Sequence, residues 1–527
     1  VTSTPRPTAL VARSRGRLVA LACLASVLAA TGCTGGATPT SPTPPGTFAP
    51  ATPTPAAAAE PLPLAQLAAF SGVASLNAGS NCSGTLIDTG VPSGPAYVLT
   101  NGHCVGDVGR SAQGTTIGVD WAGTAEFLRA AGNPDDSLIV DVVGLEYSTM
   151  RHTDTAIVRL EPTLGELEGL GIRPVPLTTA EPAAGARVTN VGVPVQGLAY
   201  EDRALRRGDC TLGSQHTLLE GPWVWFGVWS NDCPGIIQGS SGSPLFSLAA
   251  DGSPASVVAM INTTTWGGTA ANGGMCSLNH PCEVTADGVA MAEKSSYAQS
   301  VAGLGTCFGA DGEFALGGAC PLQVASVWAE SGGGSFRGGD EPNPSTAKPV
   351  ASLVGPEEGQ VRTALVPLGD ATACGSADSY AGAQAATLPK AGEDWEQVGL
   401  QVPVGLPLEE GRFLLCAVNG SDYAGAAQVV FEVDRTPPIF PASAEVEDIG
   451  AGTVIVRPHL VPPEVSTVRF TWGAPDEVDC EDTDAFRDFF IVPLTLEAGD
   501  LPASYCIVAL DAAGNSTDVT RIEIPKR

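Results

Sequence analysis

Twelve of the fourteen cysteines in this 527-residue chain fall as neighbouring pairs along the sequence. They are Cys82 and Cys104, Cys210 and Cys233, Cys276 and Cys282, Cys307 and Cys320, Cys374 and Cys416, and Cys480 and Cys506. An even set spread this way reads as a disulfide framework and hence as an exported protein. The sequence alone leaves the connectivity open. No CxxC pair or Cys/His cluster has zinc spacing, so no metal and no other cofactor is expected. Each bridge is worth roughly 2–4 kcal/mol, which makes reducing agent a threat to the fold.

The other two cysteines, Cys23 and Cys33, sit in a leader over residues 1–33. Arg6, Arg13, Arg15 and Arg17 make a basic stretch, and Leu18 to Ala30 is an apolar run too short for a comfortable membrane span. The stretch Leu28-Ala29-Ala30-Thr31-Gly32-Cys33 resembles a bacterial lipoprotein signal, although Ala30 stands where Leu is commoner. The resemblance implies export, lipidation at Cys33 and a membrane as partner through that anchor. The chain has 26 Lys and Arg against 56 Asp and Glu, a net charge of −30 that becomes about −34 once the four arginines are removed. With no basic patch, nucleic acid is not expected as a partner.

This length allows about two to four domains. Residues 34–63 are rich in Thr, Pro and Ala and read as an extended tether. Residues 64–325 hold short apolar or alternating runs punctuated by Gly, Pro and Asn, the pattern of an all-β sandwich or barrel. Ser295 to Leu304 reads as a short helix closing that domain, with Tyr297, Val301 and Leu304 on one face. Residues 326–349 read as a Gly/Pro-rich linker. Beyond it an imperfect repeat, each copy with its own cysteine pair and Asp-x-Ala-Gly or Asp-Ala-Ala-Gly turn, predicts β-sandwich modules over 350–436 and 437–527. In the second copy Val468, Phe470 and Trp472 share one strand face. The modules resemble Ig-like or fibronectin-like repeats of bacterial surface proteins, which implies a cell-surface ligand or a spacer role.

Three segments carry chemistry. Leu99-Thr100-Asn101-Gly102-His103-Cys104 is an extended run ending in a histidine. Asp154 leads the short run to Leu160, and Gly239-Ser240-Ser241-Gly242-Ser243-Pro244 is a glycine-flanked serine turn. A serine hydroxyl is a poor nucleophile without a base, and a histidine can take its proton while an aspartate holds the imidazole and stabilises its cation. His152 is a rival base on paper but lacks the preceding strand and reads as an exposed loop residue. His216, His280 and His459 are scattered and read as non-catalytic.

Together with Cys82-Ser83-Gly84-Thr85-Leu86-Ile87, these segments resemble the chymotrypsin-like serine proteases, particularly secreted bacterial members, over about 260 residues. The resemblance implies a double β-barrel and a triad of His103, Asp154 and Ser241. It also implies a bridge between Cys82 and Cys104 beside the histidine, and an oxyanion hole from the amides of Gly239 and Ser241. It places the specificity pocket around Gly235 and Ile236 and along Asn262, Thr263 and Thr264. Ser240 replaces the aspartate of zymogen-type members, so a site formed on folding is expected. No carboxylate lies near Gly235 and no histidine stands at Ile261, which favours a small or neutral residue before the scissile bond. The expected function is serine endopeptidase action on proteins or peptides. The alternative is a surface adhesion protein whose protease domain is inactive.

Overall fold

The computed structural model describes residues 59–105, 114–132, 136–265, 276–339, 348–391, 399–459, 465–490 and 492–526. Cys33, the leader and residues 34–58 of the expected tether lie outside the described residues. After a two-residue strand β1 (Glu60–Pro61), six strands close into a barrel: β2 (Val73–Asn77), β3 (Asn81–Leu86), β4 (Pro95–Thr100), β5 (Thr115–Phe127), β6 (Leu138–Thr149) and β7 (Thr155–Thr163). Their order is β2-β3-β4-β7-β6-β5, closed by β2 against β5. Ala74, Leu76, Val98, Phe127 and Val158 fill its interior.

A second ring follows: β8 (Arg187–Gly192), β9 (Arg206–Glu220), β10 (Trp223–Asn231), β11 (Pro244–Leu248), β12 (Pro254–Thr264) and, after the β13–β14 hairpin (Cys282–Thr285, Gly288–Ala290), β15 (Ser296–Ser300). The order runs β10-β15-β12-β11-β8-β9, and β9 pairs back onto β10. A continuous apolar seam joins the rings, with Tyr97, Leu99 and Ile157 from the first meeting Val191, Phe246 and Met260 from the second. Burying each such side chain is worth roughly 1.5–3 kcal/mol, so the seam fixes the rings against each other. The fold is all-β and chymotrypsin-like, followed by β-sandwich modules.

The Ser295–Leu304 segment departs from expectation. Ser296–Ser300 is strand β15, paired with β10 on one side and β12 on the other, and the helical part is a single 3₁₀ turn over Leu304–Cys307. Tyr297, Ala298 and Gln299 are all buried. A strand enclosed on both edges and both faces loses the period-two pattern, and its apolar residues can then mimic helical spacing.

The expected 326–349 linker also contributes structure. Strands β16 (Trp328–Ser331) and β17 (Gly334–Phe336) complete a sandwich made of sheets β16-β18-β21 and β17-β23-β22-β19-β20. The other strands are β18 (Val350–Val354), β19 (Gly359–Pro367), β20 (Ala386–Leu388), β21 (Leu400–Pro403), β22 (Gly411–Asn419) and β23 (Ala427–Val433). The last module pairs sheet β24-β25-β28 with β27-β26-β29-β30, built from β24 (Ala444–Gly450), β25 (Thr453–Pro458), β26 (Thr467–Gly473), β27 (Arg487–Asp488), β28 (Leu494–Leu496), β29 (Ala503–Leu510) and β30 (Thr520–Ile524). All six cysteine pairs are bridged as sequence neighbours, including Cys82–Cys104 and Cys210–Cys233.

The first sandwich is docked on the second ring. Strand β22 buries Leu415 and Ala417 inside its own sandwich. Its other face, Leu414, Cys416 and Val418, joins a core that includes Leu219, Val224, Cys276 and Cys282 of the barrel domain. The described residues from 59 onward accordingly form one compact unit.

Candidate active site

The 3₁₀ turn Gly102–Cys104, at the end of β4, presents His103 to the cleft between the rings. The turn needs glycine at 102, where a Cβ would lie 2.1 Å from the Thr149 carbonyl oxygen. The Cys82–Cys104 bridge ties the turn back to β3. Asp154, fully buried at the start of β7, accepts twice from His103: the backbone amide reaches Oδ1 at 3.0 Å, and Nδ1 lies 2.7 Å from Oδ2. Asn101 Nδ2 donates to the Asp154 carbonyl at 2.9 Å. His103 thus engages both carboxylate oxygens while Asn101 anchors the Asp154 backbone, so the carboxylate can fix the imidazole orientation. His103 keeps 23 % of its side chain exposed, facing the cleft.

Ser241 comes from the turn before β11 and lines the same cleft of about 330 Å³. Gly239 and Gly242 have φ of 99° and 80°, a conformation that favours glycine. Ser83 on β3 holds this turn. Its amide donates to the Ser241 carbonyl at 2.8 Å, its Oγ donates to the Gly239 carbonyl at 3.0 Å, and the Val193 amide donates to the same Oγ at 2.9 Å. Ser240 Oγ accepts from the Ile237 amide at 3.3 Å, an internal brace for the turn. Among the described residues, the Gly239 and Ser241 amides donate to no protein acceptor.

Of the pocket residues expected from sequence, Ile236, Asn262, Thr263 and Thr264 line the cleft. Gly235 does not. It packs against Ala59, which a Cβ at 235 would meet at 2.4 Å. Glu220 and Trp223, at the tip of the β9–β10 hairpin, reach the cleft from a strand distant in sequence and were not legible there. Burial holds the Glu220 carboxyl up to about 7, against the Asn279 amide and Thr263 hydroxyl that favour the anion.

His152 is not an exposed loop residue. Its Nε2 is buried, its ring meets Phe226 edge-on at 5.3 Å, and burial beside Arg151 drives the imidazole down to about 3. Such a group cannot serve as the base. His216 lies instead against Glu283 and Tyr297, and His459 against Ser443. The grouping of His103 with Cys82 and Cys104 is a disulfide beside an imidazole, so its sulfurs are committed.

Residues 82–260 match the family model of the trypsin-like peptidase domain. Among solved structures, the thermostable serine protease AL20 from an extremophilic microorganism is similar at 14 % identity, covering 45 % of this chain and 94 % of that one, with a TM-score of 0.30. Protease Anisep from Arthrobacter nicotinovorans is similar at 13 % identity, covering 44 % and 90 %, with a TM-score of 0.29. No curated protein matches the chain.

Proposed function

We propose that the protein is an exported, surface-anchored serine endopeptidase. The observation that carries this reading is the His103–Asp154 pair at 2.7 Å, facing Ser241 across one cleft inside a trypsin-like peptidase domain. Ser241 Oγ attacks the scissile carbonyl carbon while His103 Nε2 takes its proton. The carbonyl oxygen becomes an oxyanion, met by the Gly239 and Ser241 amides, a contribution of roughly 3–4 kcal/mol per donor. Collapse breaks the C–N bond as His103 returns the proton to the amine. Water then hydrolyses the acyl-Ser241 ester by the same proton path. Asp154 holds the imidazole tautomer and stabilises its cation throughout.

Anchoring follows from the lipobox-like Cys33, and the last sandwich serves as a spacer or holds a cell-surface ligand. The test is covalent labelling of the full-length, oxidised protein by a fluorophosphonate, with Ser241→Ala beside it. Labelling of the wild type that vanishes in the variant is the expected result. A folded wild type that does not label would return the chain to the adhesion reading.

A further inference from the structure

A second cavity, of about 510 Å³, opens where the second ring meets the first sandwich. The barrel domain contributes Leu219, Pro222 and Trp223 from the β9–β10 hairpin. The sandwich contributes Glu330 and Ser331 from β16, the glycine corner 332–334, and Val430 from β23. Trp223 also lines the catalytic cleft, so its indole is a wall the two cavities share. Its Nε1 is buried and has no hydrogen-bond partner among the described residues. The corner presents bare backbone. Gly333 has a φ of 86°, and a Cβ there would lie 2.5 Å from the Val430 carbonyl oxygen. Glu330 is the bulged residue of β16, skipped in the ladder between Ala329 and Ser331, and bulges at a sheet edge re-aim side chains. Its exposed carboxylate makes no ion pair among the described residues. The other charges of the groove are already engaged: Arg412 pairs with Glu432, which also accepts from Ser335 Oγ at 2.7 Å.

We propose that the first sandwich is part of the substrate site: this groove holds the stretch of a polypeptide substrate that runs on from the residues bound in the cleft. It favours apolar or basic side chains in that stretch. This rests on the peptidase reading above. An extended chain advances about 3.3 Å per residue, so a long substrate has to leave the cleft, and the Trp223 wall leads to a further cavity. A peptide carbonyl crossing that wall would satisfy the indole donor, as buried polar atoms ordinarily are. The glycine corner lets a backbone approach closely, while Leu219, Pro222 and Val430 offer apolar cover. The volume falls in the roughly 300–1,000 Å³ range of ligand sites. Glu330 attracts a cation and repels an acid. Binding energy realised this far from the scissile bond can still be spent on the chemical step. The docked sandwich therefore makes the enzyme prefer long, unfolded chains over short peptides.

Two measurements on the full-length oxidised protein test this, with reduced, carbamidomethylated lysozyme as an unfolded basic polypeptide. In the first, mass spectrometry locates the bonds cleaved in that probe. Peptides centred on one such bond are then lengthened residue by residue on either side. The expected result is a kcat/KM that rises at least about tenfold with length on one side only. That gain should vanish in Ser331→Trp, whose indole fills the groove, and shrink in Glu330→Arg. No gain with length overturns the proposal, and so does a gain that survives Ser331→Trp in a protein melting like the wild type. Should the bulkier variant misfold, the exposed Glu330→Arg decides by the same ratio. The second measurement needs no catalysis: fluorescence polarisation of the fluorescein-labelled probe on Ser241→Ala, with and without Ser331→Trp. Binding at least about tenfold weaker in the double variant supports the groove, and equal binding refutes it. Absent fluorophosphonate labelling alongside Ser331→Trp-sensitive binding would condemn the peptidase reading while leaving a polypeptide-binding groove standing.

Discussion

Two residues outside the expected triad decide how the cleft behaves. Ser83 spends both its amide and its hydroxyl on the turn that carries Ser241, so it transmits the rigidity of β3 to the nucleophile. Ser83→Ala keeps the amide bond and removes the hydroxyl, leaving the Gly239 carbonyl and the Val193 amide without their partner. It should cost about 1–3 kcal/mol in denaturant unfolding and lower kcat more than it raises KM. Glu220 makes stability depend on pH. Its carboxyl titrates at about 7 in the fold against an ordinary 4.5, so the unfolded chain gives up that proton first. The group's contribution is complete below about pH 4.5 and is lost as pH rises through 7. Glu220→Gln cannot ionise and keeps an acceptor for Asn279. It should therefore be more stable than wild type at about pH 9, by on the order of 2–3 kcal/mol, and should match it near pH 4. Thermal melts across that range measure the difference, and a constant offset would contradict it.

Among the elements, the β6–β7 connection links catalysis to the first sandwich. Within five residues it carries Met150, whose carbonyl accepts from Trp225 Nε1, then Arg151, His152 and finally Asp154. Arg151 is buried and its Nη1 donates to the carbonyls of Val327 at 3.1 Å and Gly425 at 2.7 Å, both in the sandwich side of the interface. Arg151→Met should leave those carbonyls unpaired, lowering stability by about 1–3 kcal/mol and activity along with it, because the loop also positions the buried carboxylate. His152 adopts a φ of 62° and stays neutral in the fold, with an imidazole at about 3 instead of its ordinary 6.5. The unfolded chain takes up that proton first, so this contribution is whole above about pH 6.5 and declines as pH falls toward 3. Asn tolerates the same left-handed backbone, so His152→Asn should flatten the acid limb of the pH–stability curve without distorting the loop. An unchanged acid limb in the variant would rule His152 out as its source.

For the whole molecule, the docked sandwich makes the barrels and the first module one folding unit. Truncation after residue 325 would expose Leu219 and Val224 and strip Arg151 of its acceptors. That species should lose its cooperative melt and its solubility, whereas truncation after residue 436 should keep both along with fluorophosphonate labelling. The second module has its own core around Val468, Phe470 and Tyr505, and its bond across the join runs from Asn515 Nδ2 to the Asp434 carbonyl. Expression and calorimetry of the two truncations decide the matter; a well-folded, active 1–325 species would refute the shared core.

What the sequence determined by itself is local: the turn and strand-end motifs around His103, Asp154 and Ser241, and cysteine pairs close enough along the chain to bridge as neighbours. These signals survive in one dimension because glycine turns, strand ends and short disulfide loops are set by adjacent residues. The all-β reading came from the same source, the short apolar runs between Gly, Pro and Asn. Tertiary structure alone decided the rest. It made Ser296–Ser300 a strand, because pairing on both edges outweighs a face that looks helical. It drew the 326–339 stretch into a sandwich, because Val327, Ala329 and Phe336 fill the core between its sheets, and it docked that sandwich on the barrel domain, because β22, apolar over Leu414 to Val418, has a second face to bury. It moved Gly235 out of the cleft and brought Glu220 in, because burial and cleft geometry depend on which strands meet, and β9 meets β10 through a hairpin whose tip no linear pattern assigns to the site.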